Sequence, residues 1–191
     1  MKAINKLFVV FVLMCLAPSA DAQIAKWLVR PSYDHIEMTD SGLLKIVSDG
    51  KEGLLSVEGR EVLPMDFDSI SSFEEGRALL FKNGRFYGIT DLQGRIIPLQ
   101  ERGYKLPHES ARFHYGYLLV KQNQQFYYID KEGNQVYGPY ADAYPFFNGH
   151  ACVKSYIDYQ KKPEETFYDC IDTDGKSLQL QEFDKKDINF I

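Results

Sequence analysis

The chain has 191 residues, of which 45% are hydrophobic, 14% aromatic and 26% charged, and its formal net charge is -5. That length can bury one core, and the composition excludes a disordered, collagen-like or low-complexity chain. With no Lys/Arg cluster beyond the pairs Lys161-Lys162 and Lys185-Lys186, the acidic surface argues against nucleic acid and anionic membrane as partners.

At the start of the chain, Lys2 and Lys6 flank an apolar run from Leu7 to Ala17, and Ala20-Asp21-Ala22 supplies the small residues of a cleavage site before Gln23. This pattern predicts a secretory signal peptide over 1–22 and a periplasmic, cell-surface or secreted product. The run is about half the ~20 residues a bilayer span requires, so no membrane span is expected. A lipid anchor at Cys15 would want a small residue before it, and Val12-Leu13-Met14 is bulky there.

Beyond residue 22 the sequence repeats itself in three sub-motifs. The first is a strand ending in a turn: Gly53 to Gly59, Gly88 to Gly94, Tyr127 to Gly133 and Asp169 to Gly175, three of which end in D-x-x-G. The second is a short strand with a proline, then an aromatic and often Asp: Pro31 to Ile36, Pro64 to Ile70 and Pro139 to Asp142, with Pro98 as a diverged copy. The third is F-x-x-G and a strand, at Phe73 to Leu80, Phe113 to Val120 and Phe146 to Val153, with a worn copy at Gly42 to Ile46. The turn glycines Gly59, Gly94, Gly133 and Gly175 recur every 35, 39 and 42 residues. About four diverged units therefore fill 23–180, leaving 181–191 as a tail.

Within a unit, Asp49-Gly50 and Asn83-Gly84 are the dipeptides of type I′ hairpins, in which both central residues take positive φ. At Gly59, Gly94, Gly133 and Gly175 the glycine permits a left-handed turn, and Asp91, Asp130 and Asp172 are placed to bond the turn amides. Each unit reads as a three-stranded antiparallel meander. The fold expected is all-β, with these tandem meander repeats stacked or curled into a propeller-like or open twisted array.

These residues resemble the bacterial WG-repeat family, also called KWG repeats, in the order G-[apolar/aromatic]-x-D-x-x-G, P-x-Y-D-x-I and F-x-x-G-x-A. The similarity runs from Trp27 to Leu180. The Trp-Gly pair that names the family falls on Glu52-Gly53, Tyr87-Gly88, Phe126-Tyr127 and Tyr168-Asp169, so an aromatic but no tryptophan fills the position in three copies. The resemblance implies a non-catalytic repeat architecture with no single ligand.

Motifs that would carry chemistry are missing. His35, His108, His114 and His150 lack the spacing of zinc ligands or of H-E-x-x-H, no serine lies in G-x-S-x-G, and Asp172-Thr173-Asp174-Gly175 has its glycine too early for an EF-hand loop. No catalytic residue, metal or cofactor is expected, and no enzyme. The function expected is an exported binding or scaffold module, with a protein partner. The alternative is a carbohydrate-binding or carbohydrate-acting envelope protein using the aromatic-rich unit 126–147, where Tyr127, Tyr137, Tyr140 and Tyr144 could present rings to a protein or glycan. Those rings equally suit a core between stacked units. Alternation sends Tyr127 to the face opposite Phe126 and Tyr128.

Cys152 and Cys170 flank a long hairpin. Folded symmetrically about Lys161, it sets them opposite each other at a distance a disulfide spans; mapped on the Asn83-Gly84 hairpin, it leaves them one residue out of register. The symmetric pairing and the oxidising compartment favour a bridge.

Overall fold

Short segments of β-branched and aromatic residues, each ended by a turn that only a few residues can form, fold as small antiparallel sheets. The structure, a computed structural model, describes residues 33–108, 110–158 and 160–178. The signal-peptide reading of 1–22 and the tail lie outside the described residues.

The first sheet holds β1 (His35–Met38), β2 (Leu44–Ser48), β3 (Lys51–Leu55) and β4 (Glu61–Phe67) in that order. The second holds β5 (Ser69–Ile70), β6 (Arg77–Lys82), β7 (Arg85–Asp91) and β8 (Ile96–Pro98). A 3-10 turn at Gln100–Arg102 leads to the third sheet, β9 (Leu118–Gln122), β10 (Gln125–Ile129) and β11 (Gln135–Tyr140). The fourth holds β12 (Asp142–Ala143), β13 (His150–Asp158) and β14 (Lys162–Asp172). The protein is all-β among the described residues, in antiparallel sheets of three or four strands.

The fourth strand has a simple origin. The P-x-Y-D-x-I segment is cut in two: Phe67 ends β4 in one sheet, Asp68 crosses over, and Ser69 begins β5 in the next. In the third sheet the Lys105–Lys121 bridge stands where that short strand would be, and in the fourth Ile171 pairs with Ser177 where a last strand would begin.

The turns follow from their side chains. Asn83 and Gly84 both have positive φ, 56° and 67°, and close the β6–β7 hairpin. F-x-x-G is a second such hairpin, since Glu74 and Arg77 exchange both backbone hydrogen bonds across Glu75-Gly76. In the D-x-x-G turns one carboxylate oxygen takes two amides: Asp91 Oδ1 accepts from Gln93 and Arg95, Asp130 Oδ1 from Glu132 and Asn134, and Asp172 Oδ1 from Asp174 and Lys176, all at 2.8–3.0 Å. Ser56 Oγ takes the same two amides in the copy lacking Asp, at 3.3 Å. The other repeated Asp caps the tight hairpins: Asp34 accepts from the Asp49 amide and Asp68 from the Gly84 amide.

The sheets stack face to face through three apolar layers. Leu54, Leu63 and Phe67 of the first sheet pack on Ile70, Ala78 and Leu80 of the second. Leu79, Ile89 and Ile97 on the other face of the second meet Leu118, Val120 and Ile129 of the third. Leu119 and Tyr128 of the third meet Ala143, Ala151, Val153 and Ile171 of the fourth. Strand alternation thus gives each middle sheet two buried faces.

Two polar rules recur at the junctions. The residue after two of the three F-x-x-G glycines reaches the next unit's D-x-x-G turn: Arg77 Nε donates to the Lys131 carbonyl at 2.8 Å, and the Tyr117 hydroxyl to the Thr173 carbonyl at 3.0 Å. The D-x-x-G glycine lies against the last strand of the preceding sheet. A Cβ at Gly94 would overlap the Val62 carbonyl oxygen, one at Gly133 would press on Ile97 at 3.1 Å and on Leu99 just beyond the strand at 3.0 Å, and one at Gly175 would enter the Tyr137 ring.

Candidate functional site

Among the described residues, two crevices between sheets are too small for an ordinary ligand pocket. One of about 220 Å³ lies between the second and third sheets beside Ser71, Arg77 and Arg112, and another of about 190 Å³ lies between the first and second beside Met38 and Phe73. Both are smaller than the roughly 300–1,000 Å³ usual for small-molecule sites. The half-buried guanidinium there, Arg77, is taken up by the Lys131 carbonyl and, at 2.9 Å, by Glu132. Among the described residues, no group of three His, Cys, Asp or Glu is placed to hold a metal, and no helix is long and apolar enough to cross a membrane.

Glu75 is also structural. Its carboxylate accepts the Tyr115 and Gly116 amides at 2.7 Å and pairs with Lys131 at 3.3 Å, tying the second unit to the third. Burial opposes its charge, but those amides and the ammonium outweigh it and hold the carboxyl below its ordinary value.

The aromatic unit divides by face. Tyr127 is only 8% exposed; it points into the layer between the second and third sheets, edge-on to Tyr104, and its hydroxyl donates to Gln125. Phe126, Tyr128, Tyr137, Tyr140 and Phe146 point the other way and form the layer against the fourth sheet. Burial pushes the Tyr128 and Tyr137 hydroxyls well above the ordinary phenol value. Of the four tyrosines singled out by sequence, Tyr127 lies in the core, Tyr137 and Tyr140 are half-buried, and Tyr144 is 58% exposed. Burial removes Tyr127 from any recognition surface.

Tyr144 leads to a surface that no described sheet covers, the outer face of the fourth sheet. Its amide donates to the Cys152 carbonyl at 3.0 Å and its carbonyl accepts the Tyr128 hydroxyl at 2.6 Å, so the backbone is fixed while the ring faces solvent. On β13 and β14 the pairs Ala151–Ile171 and Val153–Asp169 put the core residues Ala151, Val153 and Ile171 inward, and alternation turns Cys152–Cys170 and Lys154–Tyr168 outward. Tyr168 is 75% exposed with Lys154 Nζ 5.5 Å from its ring centre, and Phe147, on the turn leading into β13, is 76% exposed. The hairpin also outruns the sheet it packs on, leaving Ile157 and Phe167 exposed.

The symmetric hairpin register is the one observed, with Cys152 opposite Cys170. Both are free thiols in this structure, Cys152 exposed and Cys170 half-buried. The structural turn residues Gly59, Gly94, Gly133 and Gly175 all have positive φ. Sequence reasoning missed Tyr168 and placed Phe147 only within the aromatic-rich unit 126–147; the exposure of Tyr168 follows from the absence of a described sheet over the fourth.

The architecture defines the class: an all-β protein of stacked, tandem repeated sheets. Residues 53–86, from inside β3 to inside β7, match the family model described as WG containing repeat, so the chain carries that repeat and the resemblance read from its sequence holds there. The family's glycine has a steric reason here, because a Cβ at Gly53 would lie 2.9 Å from the Met65 backbone and one at Gly88 would overlap the Ile97 carbonyl oxygen. Where Tyr127 replaces that glycine, Gly138 on the partner strand makes the room, with Tyr127 Cδ1 2.9 Å from where its Cβ would be. No curated protein matches the sequence.

Similar solved chains include Hsv2 of Kluyveromyces lactis, 11% identical with a TM-score of 0.33 over 64% of this chain and 42% of that one. The tricorn protease is 12% identical with a TM-score of 0.34, over 74% of this chain and 16% of that one. A protein of unknown function from Bacteroides caccae is 11% identical with a TM-score of 0.22, over 75% and 78%. The chain spans less than half the length of Hsv2 and of the tricorn protease.

Proposed function

We propose that this is an exported, non-catalytic repeat module that binds a protein partner through the outer face of its fourth sheet. The single observation that carries the reading is the stacking order. Each preceding sheet uses this same face to receive the next one, through Leu54, then Leu79 and Ile89, then Leu119 and Tyr128. The fourth sheet presents the equivalent face with Tyr144, Cys152, Cys170 and Tyr168 and has no described sheet upon it. A partner continuing the stack would bring an apolar sheet face of its own. Exposed tyrosines beside small side chains suit that contact, because each ring offers large apolar area with little rotamer entropy to lose. Export is supported by the pattern of Lys2, Leu7 to Ala17 and Ala20-Asp21-Ala22.

The test is capture from envelope extract by the purified mature chain, by a Tyr144→Ala/Tyr168→Ala variant with unchanged melting temperature, and by Val57→Ala as an exposed control elsewhere. The expected result is one protein retained by wild type and Val57→Ala and lost by the double variant. Equal capture by all three, or capture by none, overturns the reading.

A further inference from the structure

We propose that Cys152 and Cys170 form a paired thiol site for disulfide-bearing oxidants, at which Cys152 reacts first and Cys170 closes the bridge. This goes beyond the binding reading and does not depend on it. The positions are informative. Cys152 pairs with Cys170 where Leu79 pairs with Ile89 in the second sheet and Leu119 with Tyr128 in the third. At those two junctions the pair is an apolar plug under the next sheet. Both members become cysteine in the sheet that has no described sheet over it.

The geometry suits a bridge. The Cys152 carbonyl accepts from Tyr144 and the Cys170 carbonyl from Leu178 at 2.8 Å, so both backbones turn away from each other and the pair is of the non-hydrogen-bonded kind. Such pairs bring their Cα atoms to about 4.5 Å, within the roughly 4.4–6.8 Å that disulfides span.

The order of reaction follows from exposure. Cys152 is exposed, whereas Cys170 is half-buried, and burial, reinforced by Cys152, pushes its thiol up. The Cys152 thiolate attacks one sulfur of an oxidant RSSR, forming a Cys152–SR mixed disulfide and expelling RS⁻. Cys170 then loses its proton and attacks the Cys152 sulfur, expelling the second RS⁻. Two thiols are oxidised to one disulfide, the oxidant is reduced to two thiols, and the two protons end on the leaving groups.

The test uses the mature protein and oxidised glutathione, followed by intact mass and peptide mapping. Wild type should end two hydrogens lighter with no glutathione attached, after an early adduct that maps to Cys152. Cys170→Ser should stop at one stable glutathione adduct, and Cys152→Ser should react roughly tenfold more slowly. Wild type that retains one or two glutathiones, an early adduct at Cys170, or equal rates for the two variants overturns the proposal. The wild-type arm decides the matter even if either variant misfolds.

Discussion

Gly84 and Gly94 differ in a way that separates the cost of a turn from the cost of stacking. Both have positive φ, 67° and 80°, so alanine at either position meets the left-handed penalty of about 1–2 kcal/mol. A Cβ at Gly84 has nothing within 4 Å. A Cβ at Gly94 overlaps the Val62 carbonyl oxygen and lies 2.8 Å from its carbonyl carbon, on the last strand of the preceding sheet. That contact is with backbone and cannot rotate away, so the sheets must separate locally, at the roughly 1–3 kcal/mol typical of overpacking. Gly84→Ala should therefore destabilise by about 1–2 kcal/mol and Gly94→Ala by about 2–5 kcal/mol. Urea unfolding followed by tyrosine fluorescence measures both, provided the denaturant slope is unchanged. At about 2–4 °C per kcal/mol for a chain of this size, the melting temperatures should also separate clearly. Equal destabilisation by the two variants would refute the stacking geometry.

Three further outcomes follow from the structure. Asp91→Ala strands the Gln93 and Arg95 amides and should cost about 1–2 kcal/mol in urea unfolding while leaving partner capture intact, whereas lost capture by a stable variant contradicts the turn assignment. Glu75 is held below its ordinary value of 4.5, so its contribution is present above that pH and is lost as pH falls through its folded value. Because the side chain is about a third exposed, Glu75→Gln should cost only about 1 kcal/mol near neutrality, and its difference from wild type should shrink as the pH falls below 4.5; a constant difference overturns the carboxylate bridge. Leu119→Ala opens a void between the third and fourth sheets and should cost about 2–5 kcal/mol by the same assay, an effect below 1 kcal/mol being incompatible with a packed junction.

The sequence carries the features that are local. A D-x-x-G turn needs only its own Asp and its own amides, and Asn83-Gly84 dictates its hairpin without help from the rest of the chain. Alternation likewise sends Tyr127 and Tyr128 to opposite layers. Other features depended on the stack. The Asn123-Gln124 hairpin has positive φ without a glycine to signal it, and β5 spans two residues, too few for a period to show. Tyr144 was legible as a ring for presentation, but the exposure of Tyr168 depended on the stack, because the outer face of the fourth sheet has no described sheet over it. The repeated acidic residues were legible as turn-formers, but the reach of Glu75 into the next unit's F-x-x-G turn was not, because it joins residues 40 apart.

The measurement that bears most directly on the outer face of the fourth sheet as a recognition surface is photocrosslinking in the native compartment. A photoreactive phenylalanine analogue is placed singly at Tyr144, Tyr168 and Val57, all exposed, with only the first two on that face. The account predicts an adduct of one common mass from positions 144 and 168 and none from 57. Adducts from all three positions, or none from 144 and 168, would contradict it.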